Sequence, residues 1–262
     1  ILKYNYENIL ITKIGYTYTY NSLGSSTTTY GKNAYSIRAN IETSGNLLYG
    51  LTSLYNGKQN SDGQYTFCGI AYAQYVKGDL DFTKSIRIDK NNSIALHANI
   101  GIAYPYGNTT ILPFEKRYFS GGANSVRGWS IRSLGPGSYN GIDKGINFIN
   151  QSGDIKLDLN LEYRAYLFWK INGAFFIDAG NIWTIRKYKD QPGGEFKLDK
   201  FYKQIAVAYG LGLRMNLDFF TLRFDAGMKA INPVYEDKRH YPILSHNLKR
   251  DFAFHFAVGM PF

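Results

Sequence analysis

The stretch IKLDLNLEYRAYL, Ile155 to Leu167, decides the fold. Ile155, Leu157, Leu159, Leu161, Tyr163, Ala165 and Leu167 share one parity; Lys156, Asp158, Asn160, Glu162, Arg164 and Tyr166 share the other. A period of two places the first set on one face of a β-strand and the charged set on the opposite face. The pattern returns in Ile205–Leu217, in Phe220–Ala230 and in Phe252–Phe262, where Phe252, Phe254, Phe256, Val258, Met260 and Phe262 alternate with small or polar residues. Similar runs occupy about 9–21, 34–50, 70–88, 93–104 and 173–183, giving about nine strands and no convincing helix.

Two all-β architectures compete for such a chain. Strands of soluble sandwiches average about 5–6 residues. The runs here are longer, enough to cross a bilayer at a tilt. Their second face mixes charges of both signs with small residues, as a wet or plugged lumen would. Connections alternate short (89–92, 168–172, 218–219) with long (105–154, 184–204, 231–251). Outer-membrane barrels have that two-sidedness, and a sandwich has no reason for it. The expectation is therefore an all-β, transmembrane antiparallel β-barrel. Single-chain bacterial barrels use even strand numbers. About nine strands and a start without Met or a leader-like segment suggest the C-terminal part of one barrel domain, residues 1–262, with its first strands absent.

Composition agrees with this class. The chain has 262 residues, 23 Tyr and 17 Phe, enough aromatic side chains for interfacial girdles. No run of 18 apolar residues predicts a transmembrane helix. Net charge is +10, but Lys and Arg are spread along the chain among Asp and Glu, which argues against nucleic acid as a partner. The single Cys68 excludes an internal disulfide framework.

The connection 105–154 is too long to be idle. Its run LPFEKRYFSGGANSVRGWSIRSLGPGSY holds Gly121, Gly122, Gly128, Gly135 and Gly137 for tight turns, aromatic residues to pack, and a central Arg127. A loop folded into the lumen would bring a guanidinium that must be paired. Glu162 lies on the polar parity of the next strand, and Asp178, in FFIDAGNIW, shares parity with Phe176 and Gly180. One guanidinium fork can bridge two carboxylates.

On these residues the chain resembles the outer-membrane assembly insertases, the bacterial surface antigen family with BamA-like and TamA-like branches, in its Bacteroidota-like version. The family's loop motif Val/Ile-Arg-Gly-Phe/Tyr stands here as Val126-Arg127-Gly128-Trp129, with Trp129 replacing the usual aromatic residue. Phe-x-Asp-x-Gly stands as Phe176 to Gly180 around Asp178, and the acidic residue of the preceding strand as Glu162. The resemblance implies that Arg127 enters the lumen and pairs with Asp178 and Glu162. It implies a terminal signal strand, carried by Phe252, Phe254, Phe256, Gly259 and Phe262, that acts as a lateral gate. It further implies a sixteen-stranded barrel behind periplasmic repeats, in the bacterial outer membrane. The function implied is insertion and folding of client outer-membrane proteins, with outer-membrane lipid and accessory assembly subunits as partners. A TamA-like translocation and assembly module and a two-partner secretion polypeptide transporter are alternatives; a diffusion porin has no use for the two-motif lock.

No catalytic constellation accompanies these motifs, so no enzyme is expected. Two carboxylates could suggest a glycosidase, but a resident arginine would neutralise both. His97, His240, His246 and His255 are scattered without zinc spacing, and Ser120 and Ser125 lack a local base. No metal and no cofactor is expected.

Overall fold

The computed structural model describes residues 8–22, 33–55, 57–141, 150–217, 219–245, 247–260 and 262. Of the residues singled out above, His246 lies outside this set, as do positions 142–149 of the long connection and position 261 of the terminal run.

Nine strands form one antiparallel sheet in chain order, each paired with its sequence neighbour. They are β1 (Lys13–Asn21), β2 (Ala34–Ser44), β3 (Tyr75–Arg87), β4 (Asn92–Pro105), β5 (Ile155–Phe168), β6 (Ile171–Trp183), β7 (Ala206–Asn216), β8 (Thr221–Ile231) and β9 (Phe252–Val258). This is an up-and-down meander, part of a β-barrel. Burial follows the parity read from the sequence, but inverted relative to a soluble protein. On β5 Leu159, Leu161 and Tyr163 are 42%, 41% and 40% exposed, while Asp158, Asn160, Glu162 and Arg164 are 1%, 4%, 0% and 2% exposed. Charges inside and an apolar band outside suit a strand whose outer face meets lipid. Among the described residues no helix is long and apolar enough to cross a bilayer.

The short turns gather at one end. Asp89 closes the β3–β4 turn by accepting from the N–H groups of Asn91 and Asn92 at 2.7 and 2.8 Å. Trp169 and Lys170 alone join β5 to β6. The long connections 45–74, 106–154, 184–205 and 232–251 emerge at the other end.

Three expectations need correction. The run 34–50 is not one strand: β2 stops at Ser44, Gly45 takes φ +78°, and α1 (Asn46–Leu54) follows, so a helix is present. A left-handed turn breaks the pleat, and the Leu-rich sequence beyond it favours a helix. Similarly, the runs 9–21 and 70–88 each divide. Ile9–Leu10 and Ile70–Tyr72 join Thr66–Phe67 in a separate three-stranded sheet beside the long-loop end. Finally, the terminal strand ends at Val258 rather than running to Phe262. Gly259 adopts φ +96°, and Phe262 stacks on the lumen-facing His97 with ring centres 5.0 Å apart and lies 5.6 Å from the Arg164 guanidinium. Phe262 therefore does not continue the lipid-facing row.

Candidate functional site

The loop 106–154 turns back into the lumen, and its tip is built by glycine. Gly121 and Gly122 both take positive φ, +94° and +95°. A Cβ on Gly121 would meet the main-chain oxygen of Ser130 at 2.4 Å. The N–H of Gly122 donates to the carbonyl of Trp129 at 2.8 Å, closing the turn that presents Arg127.

Two strands are shaped to receive this tip. Val126, Trp129 and Leu134 form a buried cluster with Ala206 and Ala208 of β7. Gly227 of β8 lies against the loop backbone itself: a Cβ there would come within 2.1 Å of the Arg127 carbonyl oxygen. The small residues on the lumen face of 205–217 thus leave room for the loop. A second anchor lies nearer its start. The Tyr118 ring fills the space left by Gly101, and its hydroxyl donates to Asp79 Oδ1 at 2.5 Å.

Arg127, 1% exposed, sits at the centre. Its Nε and Nη2 donate to Oδ2 and Oδ1 of Asp178, both at 2.8 Å, a bidentate fork. Its Nη1 donates to Glu162 Oε2 at 2.5 Å. Its own main-chain N–H adds a third bond to Asp178 Oδ2 at 3.0 Å. Phe176 lies under the guanidinium, 3.6 Å from its carbon to the ring centre, and has space because Gly210 stands opposite: a Cβ there would meet the ring at 2.4 Å. Planar stacking and the rigid fork both favour arginine over lysine.

The pairing extends beyond the three residues expected. Arg164 Nε donates to Glu162 Oε1 at 2.8 Å, and Arg214 Nη2 to Glu162 Oε2 at 2.9 Å. Arg214 also contacts Asp225 Oδ1 at 2.6 Å, and Arg223 contacts Asp225 Oδ2 at 3.2 Å. These last two are ion contacts without hydrogen-bond alignment, since among the described residues neither oxygen of Asp225 has an aligned donor. Arg223 reaches the loop as well, donating through Nη2 to the Ala123 carbonyl at 2.9 Å and to Asn124 Oδ1 at 2.6 Å. Four guanidinium groups (Arg127, Arg164, Arg214, Arg223) therefore face three carboxylates (Glu162, Asp178, Asp225), a local balance of +1 with every member at most 2% exposed. Such burial is tolerable only because the charges neutralise one another, and removing one member strands its partners.

A polar shell fixes the carboxylates. Asn160 donates to Asp178 Oδ1 and to the Ser125 carbonyl, both at 2.8 Å. His97 bridges Asn160 Oδ1 and Asp81 Oδ2, each at 2.8 Å. Ser120 and Ser125 hydroxyls lie 3.0 Å apart within the loop tip. Gly180 admits the adjoining strand closely: a Cβ there would lie 2.3 Å from the Leu157 carbonyl oxygen.

The structure thus brings Val126, Arg127, Gly128, Trp129, Glu162 and Asp178 together, with Gly180 two residues along β6 on the same face. The terminal strand is linked to them through His255, whose Nε2 lies 2.9 Å from the Arg127 carbonyl oxygen, while Phe252, Phe254 and Phe256 point outward. Arg164, Arg214, Arg223 and Asp225 were not singled out from sequence. Their signal was their lumen-facing parity, which they share with many residues that take no part.

A model of the Omp85 superfamily domain matches residues 2–262. The outer membrane protein assembly factor BamA of Neisseria meningitidis serogroup B (strain ATCC BAA-335 / MC58) is 29% identical over 208 residues, 72% of this chain and 24% of that protein. Among solved structures, BamA from Haemophilus ducreyi lacking POTRA domains 1–3 superposes with a TM-score of 0.50 at 15% identity, covering 94% of this chain and 54% of the other. CdiB from Acinetobacter baumannii gives 0.49 at 16% identity, covering 94% and 32%. The chain therefore spans about a quarter of the Neisseria protein and about half of the Haemophilus chain.

Proposed function

Because this chain belongs to the Omp85 superfamily, and is an outer-membrane β-barrel segment, we propose that it is the C-terminal part of an assembly factor that inserts and folds β-barrel proteins in the outer membrane. The observation that carries the proposal is the loop held inside the lumen by Arg127, Asp178 and Glu162. A diffusion pore needs an open lumen, whereas this lumen is occupied by a loop bound through buried charge. The similarity to a Neisseria protein named as an assembly factor points the same way.

The mechanism is edge templating, without covalent chemistry. In lipid an unpaired strand edge cannot hydrogen-bond to solvent, so each open N–H and C=O is costly. A terminal strand that pairs weakly with the first strand of a complete sixteen-stranded barrel offers such an edge to a client strand. β9 suits this role: it has seven residues beside the eleven of β8, and Gly259 ends it abruptly. Val126, Gly128, Trp129 and Gly180 position the loop lock, and Phe252, Phe254, Phe256, Gly259 and Phe262 form the gate strand and its turn. Client outer-membrane proteins and accessory subunits are the partners, with periplasmic repeats preceding the barrel.

The deciding experiment uses the full-length protein in proteoliposomes. An unfolded client barrel should become heat-modifiable faster in its presence, and disulfide closure of the seam should abolish the gain. Transfer of an unfolded polypeptide into the vesicle interior, with no gain in barrel folding, would instead favour a secretion transporter.

A further inference from the structure

A cavity of about 660 Å³ opens at the long-loop end of β8 and β9, between the loop tip and the connection 232–251. It falls within the size range of small-molecule sites. Its polar lining is one-sided: Lys229, Arg239, Lys249 and Arg250 contribute to it, and among the described residues no carboxylate does. Asp237 engages Arg239 and Asp251 engages Arg250 from behind, at 2.8 and 2.7 Å. Lys229 and Lys249 have no carboxylate within ion-pair distance among the described residues.

Lys229 is the unusual member. It is only 7% exposed, yet among the described residues the acceptor facing its ammonium is a single main-chain oxygen, that of Arg250 at 2.8 Å. The Trp129 ring centre lies 5.2 Å away. An ammonium carries three donors; the carboxylate whose field reaches Lys229, Asp251, is hydrogen-bonded to Arg250 instead, so two donors of the ammonium have no acceptor among the described residues. Such a group lining a cation-rich cavity calls for an anion. The cavity also has an apolar lip. Phe252, 44% exposed on the lipid-facing row of β9, contributes to the same wall. A cationic interior whose wall also holds a side chain of the lipid-facing row matches an amphiphile with a phosphate head.

We propose that this cavity binds the phosphate headgroup of an anionic lipid from the leaflet on the long-loop side, with Lys229 as the buried contact, Lys249 at the rim and Phe252 against the lipid chain. The proposal rests on the membrane barrel and not on the assembly reading: it holds equally for a transporter of the same family.

The test is native mass spectrometry of the full-length protein released from nanodiscs containing a diphosphorylated glycolipid or the same lipid with its phosphates removed. The wild type should retain the phosphorylated form about tenfold more. Lys229→Met should abolish the preference. Lys249→Glu, at an exposed position that leaves folding intact, should weaken it and also guards against a misfolded Lys229 variant. Heat-modifiable migration in gels reports folding of each. Inorganic phosphate supplied at the concentration of the lipid should not displace it. Equal retention of the two lipids, an unchanged preference in both folded variants, full displacement by inorganic phosphate, or displacement by an acidic peptide would each overturn the proposal.

Discussion

His255 on β9 and Arg127 at the loop tip are joined by a hydrogen bond of 2.9 Å between the ring Nε2 and the main-chain oxygen. A carbonyl can only accept, so Nε2 must carry the proton. The bond connects the terminal strand directly to the residue whose side chain pairs with Asp178. Any outward movement of β9 must break it or pull on the loop. His255→Phe, similar in shape but without a donor, should leave a buried carbonyl unpaired at about 1–3 kcal/mol. Hydrogen exchange of residues 122–130 should quicken in this variant. Unchanged protection would mean that β9 and the loop are mechanically independent.

Arg127→Ala should be more severe. Glu162 would keep Arg164 and Arg214, but Asp178 would keep only Asn160 among the side-chain contacts described above. Stranding a buried charge costs about 3–5 kcal/mol. Arg127→Lys should recover little, because lysine can neither form the fork nor stack flat on Phe176. Chemical denaturation of the folded barrel, with loop proteolysis as a second readout, checks both.

The three residues of this lock were legible for a definite reason. Alternation assigns Glu162 and Asp178 to the lumen without knowledge of neighbouring strands, and the Gly-rich run around Arg127 marks a turn. Asp225 and Arg214 were equally lumen-facing, yet their meeting depends on the β7–β8 register, which pairs Leu213 with Phe224. Period-two reasoning gives the face and not the height along the barrel. Helix α1 and the inward turn of Phe262 were missed for another reason. Each follows a glycine with positive φ, Gly45 and Gly259, and alternation scanned across such a residue continues where the chain does not.

The lipid-facing assignment has its own test. Leu159 is 42% exposed on the outer row of β5, and Thr17 of β1 lies on the opposite parity beside Asn40, to which its hydroxyl donates at 2.8 Å. Leu159→Lys should cost roughly 2–4 kcal/mol if Leu159 lies near the bilayer midplane, and Thr17→Lys much less. Equal costs, read from unfolding in lipid vesicles, would refute the orientation of the sheet.

The connection before β9 should be acid-labile. Burial pushes the Asp251 carboxyl up, but hydrogen bonds from the Arg250 guanidinium and the Asn247 N–H outweigh it and hold it below the usual range. A depressed carboxyl contributes stability above its unfolded value, about 3.9, and loses it as pH falls through the folded value. Proteolysis of 232–251 by an acid-tolerant protease should therefore accelerate below about pH 4. Asp251→Asn should be cleaved readily at neutral pH and show a flatter response.

Gly227 gives the sharpest test of the lumenal loop. A methyl group there would stand 2.1 Å from the Arg127 oxygen and 2.7 Å from its carbonyl carbon, and both are main-chain atoms with no rotamer to change. At Gly78 on β3 the nearest atom to an added Cβ is the Asn40 oxygen at 4.0 Å. In an ordinary strand the change from glycine to alanine restricts the unfolded chain and stabilises by about 0.4–1 kcal/mol. Gly78→Ala should follow that rule. Gly227→Ala should reverse its sign, because overpacking costs about 1–3 kcal/mol and here the loop backbone must shift as a unit. The Arg127 side chain would then lose register with Asp178 and Glu162 although no charge was altered. Protease sensitivity at 122–130 should rise in Gly227→Ala and stay at the wild-type level in Gly78→Ala. Equal behaviour of the two would place the loop away from β8 and refute the seat described for Arg127.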